Sequence, residues 1–248
     1  MLLSAYINAW DGIELLRGCI KCLQPHVDKI LIVWQKKSNY GEEYNPIEDI
    51  HKAIEGIENI HLVEYHPNVI RREWTGFSNE RAKRGQAIAS LRKIGCTHFL
   101  AVDVDEYYED FGQAKQQFID SGHHGSVVKM WTYFKRPTWR LEKSENYYVP
   151  FIHTMTPKTQ VGPEYPFYVD RTRRINQMDV VELPTMMHHF SWVRQNIERK
   201  IRNSSAKNLS LHLGEYNELD RPKHLRMYDQ RLIEVPNIFN IDLSVPTL

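Results

Sequence analysis

The chain begins with a regular alternation of apolar runs and helical patterns. Leu2 to Asn8 is a short apolar run that reads as a strand. Asp11-Gly12 follows, and Ile13 to Leu23 then carries apolar residues at helical spacing until Pro25. Asp28 to Trp34 reads as a buried strand and Lys36 to Glu43 as a polar loop. Pro46 opens a second helix that runs to about Gly56, since proline suits the first helical turn. Ile60 to Tyr65 is a third strand, ended by Pro67. Ser78 is placed to cap a helix reaching Ile94, with Gly95 as its stop. Thr97 to Val102 completes the series as a fourth strand. Short, continuously apolar strands separated by helices predict a parallel sheet covered on both faces, with right-handed crossovers. In such sheets ligands gather beyond the carboxyl ends of the strands.

The texture changes after residue 125. Ser126 to Tyr133 and Tyr147 to Met155 are β-rich and aromatic, while five prolines between Pro137 and Pro166 mark loops. Ile197 to Leu209 reads as a basic helix, and the tail from Glu234 is punctuated by proline. The expected architecture is α/β: a Rossmann-like, mostly parallel sheet flanked by helices, with a mixed β-rich C-terminal part. Without a repeat or a linker, residues 1–248 are expected to form one domain in two functional halves. Residues 1–125 would bind a nucleotide and residues 126–248 an acceptor.

Composition adds limits. Of 248 residues, 42% are hydrophobic and 25% charged, enough for a core without staples. No apolar stretch approaches the ~20 residues of a membrane span. The N-terminus lacks the basic lead and apolar length of a signal peptide, and three cysteines do not make a disulfide framework; a cytoplasmic setting is expected. Cys19 and Cys22 have a C-x-x-C spacing, but they lie within a helix and have no second pair for zinc, so they read as core. The net charge of +1 hides an acidic first half and a basic second half. Arg171, Arg173, Arg174, Arg194, Arg199, Lys200, Arg202, Arg221, Lys223 and Arg226 are placed to meet phosphates, a polyanionic acceptor or nucleic acid, or else to form solvated helix faces.

The sharpest chemical signal is Asp103-Val104-Asp105, at the carboxyl end of the most apolar strand. Two buried aspartates are costly unless something positive meets them. In extended backbone, residues two apart face the same way, so both carboxylates are expected on one face. Hard divalent cations take carboxylate oxygens and phosphates alike, which suits a cation bridging protein and diphosphate.

These segments resemble the GT-A glycosyltransferases, particularly family 2-like enzymes and the related family 92 type. Three stretches carry the resemblance: Ser4 to Asp11, Asn79 to Ala89 leading into Thr97 to Tyr108, and Met187 to Arg194. It implies a glycosyltransferase that moves a sugar from a nucleotide-diphosphate sugar to an acceptor hydroxyl, with inversion expected. The donor implied is a UDP-sugar, although Trp34-Gln35-Lys36 stands where many family 2 enzymes carry an acidic uracil reader. The cofactor implied is Mn²⁺ or Mg²⁺. Asp103 would contact ribose or metal, and Asp105 would bind the metal and serve catalysis. Asn8 and Trp10 would line the nucleotide pocket, with Arg84 and Arg81 reaching the nucleotide. A late histidine would complete the metal shell. Adjacent histidines in extended backbone face opposite ways, so one of His188 and His189 is expected to ligate, with His188 preferred. Inversion needs a base on the acceptor hydroxyl. Glu164, Asp170 and Glu182 are candidates, with Glu164 chosen for its loop Gly162-Pro163-Glu164-Tyr165-Pro166. Two other readings stand beside this one: a nucleotidyltransferase, and a non-catalytic carbohydrate- or nucleic-acid-binding protein.

Overall fold

The computed structural model describes residues 1–69, 72–204 and 213–243. The four expected strands are present as β1 (Leu3–Ala9), β2 (Lys29–Trp34), β3 (Ile60–Glu64) and β4 (His98–Asp103). They pair in parallel in the order β3-β2-β1-β4. Helices α1 (Leu16–Leu23), α2 (Ile47–Ile54) and α3 (Arg72–Lys93) join them. Because β1 is buried on both faces, its alternate residues feed two cores. Leu3, Ala5, Ile7 and Ala9 pack with α1 and α2, while Tyr6 joins Phe99, Ala101 and the α3 residues Ala87, Ile88 and Leu91.

The second half continues the same sheet. After β5 (Glu106–Tyr108) and α4 (Phe111–Ser121) come β6 (Gly125–Phe134), β7 (Trp139–Leu141), β8 (Val149–Thr154) and β9 (Val180–Trp192). Strand β8 lies antiparallel between β4 and β6, so the second half joins the sheet at β4, beside the parallel strands of the first. Strand β9 runs parallel to β6 and antiparallel to β5. Helices α5 (Ile197–Arg202) and α6 (Leu213–Asn217) and strands β10 (His224–Leu225) and β11 (Gln230–Glu234) follow, and β11 extends the sheet beside β7. The result is a mixed α/β fold with one large sheet, parallel at one end.

Three local expectations change. Helix α3 begins at Arg72, so Ser78 lies inside it and does not cap it. The glycine in that first stretch, Gly76, is no breaker: Tyr40 presses its hydroxyl into the space a side chain would fill. The basic helix ends at Arg202, and its expected continuation to Leu209 reaches residues outside those described. Asp103 ends β4, but Val104 and Asp105 form a turn into β5, so the motif is not one extended run.

Cys19 is fully buried in α1, as a core residue. Beside it, Gly18 permits a close approach. Tyr107, 1% exposed, donates its hydroxyl to the Leu15 carbonyl at 2.6 Å, and a Cβ on Gly18 would lie 2.5 Å from that hydroxyl. Gly18→Ala is therefore expected to destabilise the fold by about 1–3 kcal/mol through overpacking. A urea titration that shows an unchanged midpoint would contradict this.

Candidate active site

Parallel pairing of β1 with β4 sets Asn8 beside Asp103. Both side chains continue the α3-facing row that begins with Tyr6 and Phe99. Asn8 donates Nδ2 to Asp103 Oδ1 at 3.0 Å. From α3, Arg84 Nη2 donates to both Asp103 oxygens at 3.1 Å and pairs with Glu80 at 2.9 Å. Asn39, in the loop after β2, donates to the other Glu80 oxygen at 2.9 Å. The first Asp of the motif is thus held by one residue from β1 and one from α3.

Asp105 is held from the other half. The β5–β9 pairing sets Glu106 opposite His189 and so brings the end of β9 against the turn. Arg194 forms an ion pair with Asp105 Oδ2 and lies 3.5 Å from Asp11. Lys200 of α5 comes within 3.9 Å of the same Asp105 oxygen. Beneath the turn, Arg173 donates to both oxygens of Glu106 and, at 3.0 Å, to the Ala101 carbonyl of β4. Glu106 in turn accepts from the Asp103 backbone amide at 3.1 Å.

Burial alone would raise both aspartates, but the surrounding cations outweigh it. Arg194, Lys200 and His189 hold the Asp105 carboxyl at about 2. Arg84 and Arg173, with the Asn8 hydrogen bond, hold Asp103 well below the usual carboxylate range. Both are carboxylates at neutral pH.

These groups line a cleft of about 440 Å³ at the carboxyl ends of β1 and β4. Its other wall comes from the second half, including Met130, Glu145, Tyr147, Tyr148, Asp170 and Tyr228. A recess of about 150 Å³ adjoins it and is lined by Trp10, Gln35, Ser38 and Lys83 among others. Burial lowers Lys83 to about 8, with Glu80 and Asp103 opposing that shift.

Asn8, Arg84, Asp103 and Asp105 therefore meet in one cleft, and Trp10 lines the recess. Other expected residues lie elsewhere. Arg81, one turn before Arg84 on α3, donates to the carbonyls of Val161, Gly162 and Arg171 and ties the helix to that loop. Glu164 is exposed and does not line the cleft. Glu182 faces outward from β9, accepting from Tyr148 at 2.9 Å and lying 3.8 Å from Lys129. Asp170 does line the cleft, where it accepts from the Thr172 amide and hydroxyl.

The histidine preference is reversed. His188 points away from Asp105, with Nδ1 2.8 Å from the Tyr133 hydroxyl and its ring 5.0 Å from that of Phe239. Burial and the nearby Arg140 lower it to about 4. His189 faces the cleft, with Nε2 3.8 Å from Asp105 Oδ1 and Nδ1 buried without a hydrogen-bond partner. That spacing is too long for a hydrogen bond. Among the described residues no group of three His, Cys, Asp or Glu side chains gathers around a point. Asp105 and His189 together offer one carboxylate and one imidazole to the cleft.

Sequence reasoning missed Glu145 and the partner roles of Arg173 and Arg194. Glu145 lies in the irregular connection between β7 and β8 and accepts from the Thr132 hydroxyl. Thr132 stands opposite His189 in the β6–β9 register, which puts Glu145 next to the histidine. No periodicity marks such a position. Arg173 and Arg194 were visible as basic residues, but nothing local names their partners, 67 and 89 residues away.

Among the described residues no helix is long and apolar enough to cross a membrane. No family model matches the chain, and no curated protein matches it. Among solved structures it is similar to S. aureus TarS 1-349, at 11% identity over 77% of this chain and 61% of that one, with a TM-score of 0.45. It is similar also to TarS 1-349 in complex with UDP, at 12% identity over 89% and 73% of the two chains, with a TM-score of 0.45. A mannose-1-phosphate geranyltransferase from Thermus thermophilus matches at 15% identity over 63% and 51%, with a TM-score of 0.33. The chain thus spans 61% of the TarS 1-349 structure and 37% of the longer TarS structure. Likenesses this distant carry no functional argument.

Proposed function

We propose that the protein is a GT-A type glycosyltransferase that moves a sugar from a nucleotide-diphosphate sugar to an acceptor hydroxyl with inversion. One observation supports this most: Asn8, Arg84, Asp103, Asp105 and His189 converge in a single cleft at the carboxyl ends of parallel strands. In this reading Asp103, held by Asn8 and Arg84, receives the ribose, and the recess beside Trp10 and Gln35 takes the base. Asp105 and His189 would hold Mn²⁺ or Mg²⁺, which when bound neutralises charge on the departing diphosphate. Lys200, three-quarters buried and lining the cleft, faces the same diphosphate.

Glu145 replaces Glu164 as base. It lines the cleft, is fixed by Thr132 and adjoins His189, so it is placed to take the proton of an incoming hydroxyl. Glu145→Gln keeps the shape and removes the acceptor of that proton. Turnover is expected to fall by about 10²–10⁴-fold with donor affinity unchanged. A loss below about tenfold would remove Glu145 from this role.

The reaction itself is tested by thermal shift and product analysis with UDP, UDP-glucose and UDP-N-acetylglucosamine, each with and without Mn²⁺. A bound donor raises apparent stability, by about 2.7 kcal/mol at a hundred times its Kd. No shift with any nucleotide sugar, and no UDP release, would sink the proposal. Pyrophosphate release from a nucleoside triphosphate would favour nucleotidyl transfer instead.

A further inference from the structure

The basic second half suggests a polyanionic partner, yet four of its arginines are engaged by carboxylates of the first half. Arg173 is spent on Glu106 and Arg194 on Asp105, and each residue is only 8% exposed. Arg199 stacks over the Tyr44 ring at 4.0 Å and lies 3.7 Å from Asp11. Arg202 pairs with Glu42 at 3.2 Å. In each case the partner carboxylate belongs to the acidic first half. These four charges are met within the molecule, while Arg171, Arg221, Arg226 and Arg231 are exposed and do not line the cleft.

The acceptor side of the cleft has the opposite character. Its wall is built by β6, the connection from β7 to β8, and the turn at Asp170–Arg173. Among the described lining residues of that wall, the one cation is Arg173, already held by Glu106. The same wall presents the carboxylates of Glu145 and Asp170, together with the rings of Tyr147 and Tyr148. A chain of phosphates or sulfates entering here meets the like charge of Glu145 and Asp170, and the guanidinium that lines this wall is already paired. A sugar meets carboxylate oxygens that accept from its hydroxyls and aromatic faces that pack on its C–H surface.

Resting on the transferase reading above, we infer that the acceptor is a neutral saccharide and not a polyanion. UDP with Mn²⁺ is titrated first by calorimetry; if it does not bind, the transferase reading itself fails. The UDP-saturated protein is then titrated at low and high salt with chitotetraose, maltotetraose, heparin and a short duplex DNA. At least one tetrasaccharide is expected to bind, with affinity changing less than about twofold with salt, as befits an uncharged ligand. Tyr148→Ala is expected to weaken that binding about tenfold, by loss of the ring, while Tyr148→Phe retains it. Two results overturn the inference even though UDP binds. One is that neither tetrasaccharide binds. The other is that heparin or DNA binds in the cleft, with the steep loss in high salt that marks phosphate or sulfate contacts and sensitivity to Tyr148→Ala.

Discussion

Asp105→Asn is expected to lower turnover by about 10²–10³-fold while leaving a folded protein. Asparagine keeps the volume of the side chain in its turn, so the effect is electrostatic. The lost charge is the one that faces His189 at 3.8 Å and anchors Arg194. Preorganised charges aimed at a departing group contribute this much when one is deleted. Arg194 retains Asp11 at 3.5 Å as a second partner, so the stability loss is expected to be about 1–3 kcal/mol, well short of unfolding. Steady-state kinetics and a urea titration on the same preparation separate the two effects. A D105N protein with wild-type turnover would show that the cleft does not work through this carboxylate. The His189→Ala and His188→Ala proteins supply the contrast, because the proposed reading places metal affinity on the first, while the second packs against Tyr133 and Phe239.

Arg173→Met has the largest expected effect on stability. Arg173 and Glu106 form a buried pair beneath the motif, with Glu106 1% exposed. Removing one partner strands the other charge in the interior, which costs about 3–5 kcal/mol. Arg173→Met also leaves the Ala101 carbonyl without its 3.0 Å donor. The double change Arg173→Met with Glu106→Gln removes the stranded charge and is expected to recover much of the loss, since replacing a whole buried pair is often close to neutral. Urea midpoints of the single and double variants test this directly. A single variant within about 1 kcal/mol of wild type, or a double variant worse than the single, would show that the pair is not what fastens the Asp170–Arg173 turn to β4.

Strands β1, β2 and β4 were legible because strands buried on both faces appear as unbroken apolar runs, and the intervening helices carry the right period. From their order followed the carboxyl-end location of Asp103 and Asp105. Helix α4 was hidden because its N-cap, Asp110, makes no side-chain capping bond and its pattern is weakly amphipathic. Strands as short as β7 leave no period to read. For the histidines, alternation shows that His188 and His189 face opposite ways but not which way is inward; that is decided by pairing with β5, a contact some eighty residues distant in sequence. Similarly, Arg81 and Arg84 share a helix, and only the position of Asp103 separates a ligand-side arginine from a strut.

The pairing of strands and charges across the two halves has a consequence for inheritance. A break after residue 125 would leave Asp105 and Glu106 in one piece and Arg194, Lys200 and Arg173 in the other. It would also withdraw β8 from its place beside β4. Neither piece would carry a balanced interior, so exchanging the second half for that of another chain of this fold requires its three basic side chains to travel together. Changes in what the cleft accepts are then most readily reached through the connection bearing Glu145 and Tyr148, which contributes to the wall without supplying any of these three basic side chains.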